Sequence, residues 1–197
     1  KLSKRERPEA LRKAIKSMPD IDLEEIIEYP LFHGNSPKEL ADLMPGQLDS
    51  FVKGETTLDM PVIDAMAKYL GVGLPEINIV DFSRSGYLPE TMVNFLALLG
   101  WNPGDNREIM AVDELVKAFD LSRLTKSNSL FDRQKLLAFN TEHIKMISRE
   151  KLLQHLKDYL NVVESPVAAA DDERLSEIIK LCEGARTLAD IEHKSRF

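Results

Sequence analysis

Apolar residues recur at helical spacing through most of the chain, and most densely between Gly86 and Gly100. There Met92, Phe95, Leu96 and Leu99 share a stripe while Val93, Ala97 and Leu98 fill much of the remaining circumference, so this helix is expected to be buried on most sides at the centre of a core. Pro89 suits its first turn, Glu90 the positive end of its dipole, and Gly100 is expected to stop it in a left-handed cap. Further stripes predict helices over Pro8–Met18 (Leu11, Ala14, Ile15, Met18), over Asp113–Phe119, over Ser148–Leu160 (Leu152, Leu153, Leu156, Leu160) and over Glu173–Cys182 (Leu175, Ile178, Ile179, Cys182), with a last one starting at Arg186. Asp22 is expected to cap a short helix carrying Leu23, Ile26 and Ile27, and Ser36-Pro37-Lys38-Glu39 reads as a capping box opening another. The run Ile77, Ile79, Val80 and Phe82 predicts a strand or extended connection, Asn102–Asn106 a turn cluster, and Pro166 with Ala168–Ala170 a linker.

Composition narrows the class. With 197 residues, 43% hydrophobic and 30% charged, the chain has material for one or two cores and is too mixed to be disordered. A single cysteine, Cys182, rules out an internal disulfide or a multi-cysteine zinc site and suits a reducing cytosol. No apolar run approaches the length of a membrane span. The net charge of -7 is unevenly spread: residues 6–76 hold 14 of the 33 acidic side chains but only 7 of the 26 basic ones, leaving the remainder balanced and able to present a basic face to phosphate. The chain opens on Lys1 rather than methionine, as expected of a piece of a longer protein.

Lys1-Leu2-Ser3-Lys4-Arg5 places two lysines around a small hydroxyl residue, a pattern that can hold a polyphosphate but that in isolation means little and reads first as a solvated basic terminus. It resembles the Lys-Met-Ser-Lys-Ser motif of class I aminoacyl-tRNA synthetases, in the form common to the glutamyl and glutaminyl branch. The Gly86–Asp105 string resembles the signature that follows this motif in bacterial-type glutamyl-tRNA synthetases. Asp120–Leu136, including Phe131-Asp132 and Lys135-Leu136, and then Asn140–Ile144, are similar to that family's stem-contact segment. The helices from Ser148 onward look like the start of its all-helical anticodon-binding region, where glutaminyl enzymes use β-barrels.

The resemblance implies a mainly α fold: the end of a catalytic domain at 1–5, a stem-contact domain at 77–146 and the first part of an anticodon-binding bundle at 147–197. It implies a parent glutamate-tRNA ligase that activates glutamate with ATP and Mg2+ and esterifies it to tRNA(Glu), acting as a cytoplasmic monomer. Lys4, supported by Lys1 and Ser3, would stabilise the ATP phosphates, and no protein-bound metal is expected. Without a Gly-rich nucleotide unit or a His-Ile-Gly-His-like motif, the chain alone is expected to be inactive and to retain tRNA contact. Arg123, Lys126, Arg133 and Lys135 form a basic cluster around a polar loop, suited to sugar and phosphate contact unless Asp120, Asp132 and neighbouring helices pair with them; Arg186 is the anticodon-side candidate. Relatives that reject a cytosine at the first anticodon position carry an arginine just before the position of Arg186, where this chain has Cys182-Glu183-Gly184-Ala185, which leaves tRNA(Gln) open as a partner. His143 and Trp101 read as packing or hydrogen-bonding residues rather than a catalyst and a base-stacking platform.

Residues 6–76 depart from the family as an acidic helical insertion. Leu40-Ala41, the stretch ending Lys53-Gly54 and the closing Ala67–Val72 resemble the helix-turn-helix core of lambda-repressor-like proteins. That likeness implies either a non-catalytic nucleic-acid reader or, since its second helix offers Asp49 and a single Lys53, a compact insert used for protein contact.

Overall fold

The computed structural model describes residues 5–18, 43–126 and 129–195. These are mainly helical; among them no strand occurs, and the β structure is an isolated antiparallel bridge between Trp101 and Leu124. The chain divides into two compact units, Leu2–Ile77 and Asn78–Phe197.

In the first unit, α1 (Glu6–Lys16), α2 (Pro45–Lys53) and α3 (Met60–Tyr69) enclose a core of Leu11, Ile15, Leu48, Phe51, Ile63 and Met66. Helix α1 carries Glu6 and Glu9 in its first turn and Lys13 and Lys16 in its last, both favourable to its dipole. Its buried Arg7 is fully engaged: Nη1 pairs with Asp64 at 2.6 Å and Nε donates to the Pro75 carbonyl at 3.1 Å, which offsets the desolvation of a buried charge. The helices expected from Asp22 and Ser36 lie outside the described residues. Helix α2, the second helix of the helix-turn-helix-like pattern, turns Gln47 back onto its own N-terminus, where Oε1 accepts from the Met44 N–H at 3.1 Å. Its one cation, Lys53, is held by Asp49 at 2.6 Å, so this face offers duplex phosphates no unpaired charge.

The second unit contains α4 (Ile79–Arg84), α5 (Pro89–Leu98), α6 (Val112–Ala118), α7 (Arg133–Met146), α8 (Arg149–Val162), α9 (Asp172–Leu181) and α10 (Leu188–Lys194), with 3-10 turns at Leu121–Arg123 and Pro166–Ala169. Helix α4 replaces the expected strand or extended connection. Asp81 reaches back to the Asn78 N–H at 2.7 Å and closes the first turn, and only Phe82 of the apolar run is buried; Ile79 is 78% exposed. Helix α5 begins at Pro89 as expected, but Gly100 is not left-handed: the chain leaves α5 through an ordinary right-handed turn at Leu99, and the Gly100 carbonyl accepts from the Thr125 N–H at 2.9 Å. Helices α8, α9 and α10 share a second core of Leu152, Leu156, Leu160, Leu175, Leu188 and Ile191. Cys182 is buried beside it, and burial pushes its thiol pKa up, leaving it a poor nucleophile.

Candidate nucleic-acid interface

The scaffold for the candidate contacts is the packing of α5 on α7. The expectation that α5 turns a Met92, Phe95, Leu96 and Leu99 stripe inward is corrected: its buried face is Thr91, Asn94 and Phe95, while Val93 and Leu96 are each 45% exposed. Phe95 stands edge-on to Phe131 (5.1 Å between centroids) and to Phe139 (5.7 Å), and Phe131 also meets Phe82 at 5.6 Å. This cluster fixes the start of α7 and the loop before it. Trp101, almost fully buried, donates from Nε1 to the Asp120 carbonyl at 3.0 Å and is a packing residue as expected.

Polar side chains inside this core tie the segments together. Asn94 Oδ1 accepts from the Met110 N–H at 3.0 Å and lies 3.0 Å from His143 Nε2. The Met110 N–H can only donate, so the oxygen of Asn94 must face it and His143 must carry its proton on Nε2. Burial holds the His143 pKa below its ordinary value, with the nearby Glu90 charge opposing this and Lys151 reinforcing it. Burial alone would raise Glu90; the Lys151 ammonium, its own backbone N–H near the start of α5 and His155 at 3.1 Å together outweigh it and hold the carboxyl below the usual range. Both shifts act in one direction. A histidine with a depressed folded pKa contributes stability that is complete above its unfolded value, about 6.5, and declines as pH falls below it. Glu90 adds a second decline starting near its unfolded value. Urea unfolding between pH 7.5 and 4 is expected to show stability falling from about pH 6.5, and His143→Gln should flatten the first part of that fall. A wild-type curve level down to pH 5 would contradict it.

The predicted cations are placed unequally. Asp120 and Asp132, expected competitors for them, instead cap backbone: Asp120 Oδ1 accepts from the Ser122 N–H at 2.9 Å, and Asp132 Oδ1 accepts from Gln134 and Lys135 at 2.8 and 3.1 Å. Arg123 folds over the 103–104 turn, its guanidinium donating to the Pro103 carbonyl so closely that a Cβ on Gly104 would lie 2.9 Å from it. Arg133 lies over the Phe131 ring, 6.0 Å from its centroid, and Lys135 pairs with Glu108 and sits 5.5 Å from the Phe139 centroid. Lys126 and Arg186 are exposed, and among the described residues neither side chain has an ionic or hydrogen-bonding partner. Lys126 follows the Trp101–Leu124 bridge; Arg186 precedes α10. Lys1, Ser3 and Lys4 lie outside the described residues.

Residues 75–138 match the family described as tRNA synthetases class I (E and Q), catalytic domain. The glutamate-tRNA ligase of Finegoldia magna is 40% identical over 139 residues, 69% of this chain and 28% of the relative. That of Phocaeicola vulgatus is 54% identical over 71 residues, 36% of this chain and 14% of the relative. A crystal structure of a glutamate tRNA ligase from Elizabethkingia meningosepticum, in complex with its amino acid, matches with a TM-score of 0.50 at 30% identity, covering 72% of this chain and 29% of that one. These matches mark the chain as similar to a piece of the bacterial-type glutamyl-tRNA synthetases. The chain spans less than a third of the length of these synthetases.

In this segment, sequence reasoning passes over three positions that tie its parts together: the Gly86 carbonyl accepts from Leu188, Asn94 from Met110, and Asn140 bridges Leu88 and Arg186. Gly86 and Asn140 sit inside recognisable strings without a role of their own, and Asn94 reads as a polar interruption on an apolar helix. A signal exists for Asn94: Thr91 and Asn94 are three apart, so two polar residues share a face on a helix with no other polar stripe, which marks either the solvent side or an interior with a polar partner, here the Met110 N–H bonded by Asn94 Oδ1.

Proposed function

We propose that the chain is part of a glutamate-tRNA ligase, supplying the end of the catalytic domain and contacts to the stem and anticodon arms of tRNA. The observation that carries this reading is 40% identity over 139 residues to a protein of that name. The parent enzyme would activate glutamate with ATP and Mg2+ and transfer it to tRNA(Glu), with tRNA(Gln) a second acceptor, as a soluble monomer of the cytoplasm. Lys4, with Lys1 and Ser3, would steady the ATP phosphates and the leaving pyrophosphate. Residues 77–146 would serve as the stem-contact domain, residues 147–197 as the start of the anticodon-binding domain, and residues 6–76 as an insertion for a protein partner.

Among the five candidate cations, Lys126 and Arg186 are the best placed to meet phosphate, because Arg123, Arg133 and Lys135 are already engaged within the chain. The test is binding of this chain to unmodified tRNA(Glu), tRNA(Gln) and a random DNA duplex across salt. Lys126→Ala and Arg186→Ala are each expected to weaken tRNA binding and to lower the slope of log affinity against log salt by about 1. Lys135→Ala should change neither by much, its charge being spent on Glu108. Equal binding of duplex and tRNA, untouched by either substitution, would defeat the reading.

A further inference from the structure

We infer that Asn140 is a positioning residue for RNA contact at Arg186: its carboxamide, buried within α7, fixes the main chain from which the exposed guanidinium projects. This rests on Arg186 meeting tRNA as proposed above.

The side chain of Asn140 is fully buried, and both ends of it are spent on main-chain atoms remote in sequence. Oδ1 accepts from the Leu88 N–H at 2.8 Å, at the residue that opens α5, and Nδ2 donates to the Arg186 carbonyl at 2.6 Å. A second fastening lies beside it: the Gly86 carbonyl accepts from the Leu188 N–H at 2.9 Å. The residues between are committed as well. The Arg186 and Thr187 N–H groups both donate to Asp190 Oδ2, at 2.8 and 3.0 Å, and Thr187 Oγ1 accepts from the Asp190 N–H at 3.1 Å. The root of Arg186 is thereby fixed on three sides while its side chain stays exposed.

Such an arrangement suits recognition. A cation on a mobile loop loses backbone freedom when it meets phosphate, whereas one on a fixed root loses only side-chain freedom, so the clamp raises affinity without touching the ligand. An asparagine is the residue for this task because one planar group must present an acceptor to an N–H and a donor to a carbonyl. A buried hydrophobe would fill the space and hold neither segment, and an ionised aspartate would hold only Leu88.

Two measurements on the full chain separate positioning from mere stability. The first is a double-mutant cycle on tRNA(Glu) binding with Asn140→Asp and Arg186→Ala at pH 8, below the melting temperature of each variant. Asn140→Asp alone is expected to weaken binding roughly three- to tenfold, and to add nothing once Arg186 is removed. Lowering the pH should partly restore binding, since a protonated carboxyl can again donate to the Arg186 carbonyl. The second is amide hydrogen exchange, which needs no RNA: in Asn140→Asp the amides of Arg186, Thr187 and Leu188 should exchange about tenfold faster while those of Leu156 and Leu160 in α8 stay as they were. Losses that multiply independently in the cycle, or unchanged exchange at 186–188, overturn the inference. If the unaltered chain binds tRNA no better than duplex DNA while exchange at 186–188 still responds, the tRNA reading fails, and the role of Asn140 in RNA contact fails with it.

Discussion

Gly86→Ala is expected to destabilise the second unit by about 3 kcal/mol or more, one of the two largest losses anticipated from any single change in the chain. Two costs combine. Gly86 has φ +79°, where an alanine is disfavoured by about 1 kcal/mol or slightly more. An added Cβ would also stand 2.4 Å from the Ala189 nitrogen and 2.8 Å from the Leu188 nitrogen, both main-chain atoms at the start of α10 that cannot swing aside. Relief would require α10 to retreat, which breaks the hydrogen bond from Leu188 to the Gly86 carbonyl and opens the core that Leu188 and Ile191 share with α8. The control is Gly100→Ala. It meets no atom within 4 Å and Gly100 is not left-handed, so that change should be neutral or slightly stabilising through the unfolded chain. Urea unfolding followed by the fluorescence of Trp101, the single tryptophan, reports on the unit that contains both sites. Equal midpoints for the two variants would refute the account.

That contrast shows where sequence reasoning stops. Pro89 at a helix start was legible because its fixed φ and missing N–H suit a first turn wherever one occurs. The glycines were not, because a glycine followed by a turn looks alike whether the demand is conformational, as at Gly86, or absent, as at Gly100; what decides is α10, about a hundred residues further on. Ile77, Ile79, Val80 and Phe82 read as a strand or extended connection because they form a short apolar run, but the Asn78–Asp81 pair closes a helical turn and leaves Ile79 and Val80 in solvent. The candidate cations were all legible as residues. Their availability was not, since Glu108 and the Pro103 carbonyl are found only by folding 103–108 against 123–135.

Phe95→Ala should cost about 3–5 kcal/mol, whereas Leu96→Ala, one residue along the same helix, should cost under about 1 kcal/mol. The pair tests which way α5 faces. Hydrophobic periodicity places both inside, because apolar residues surround most of this helix and its pattern carries little direction. In the structure the face is chosen by polar groups: Asn94 must reach the Met110 N–H and His143, and that rotation carries Phe95 into the cluster with Phe131 and Phe139 and turns Leu96 toward solvent, 45% exposed. Removing Phe95 would leave a cavity bounded by two aromatic rings whose edge-on contacts are lost with it, and Phe131 anchors the loop that carries Lys126. The same variant should therefore weaken tRNA binding even at temperatures where α7 and α8 remain folded, while Leu96→Ala leaves binding unchanged. Similar losses of stability for the two variants, read by the same unfolding experiment, would mean that α5 is rotated from the orientation described and that Asn94 does not set its face.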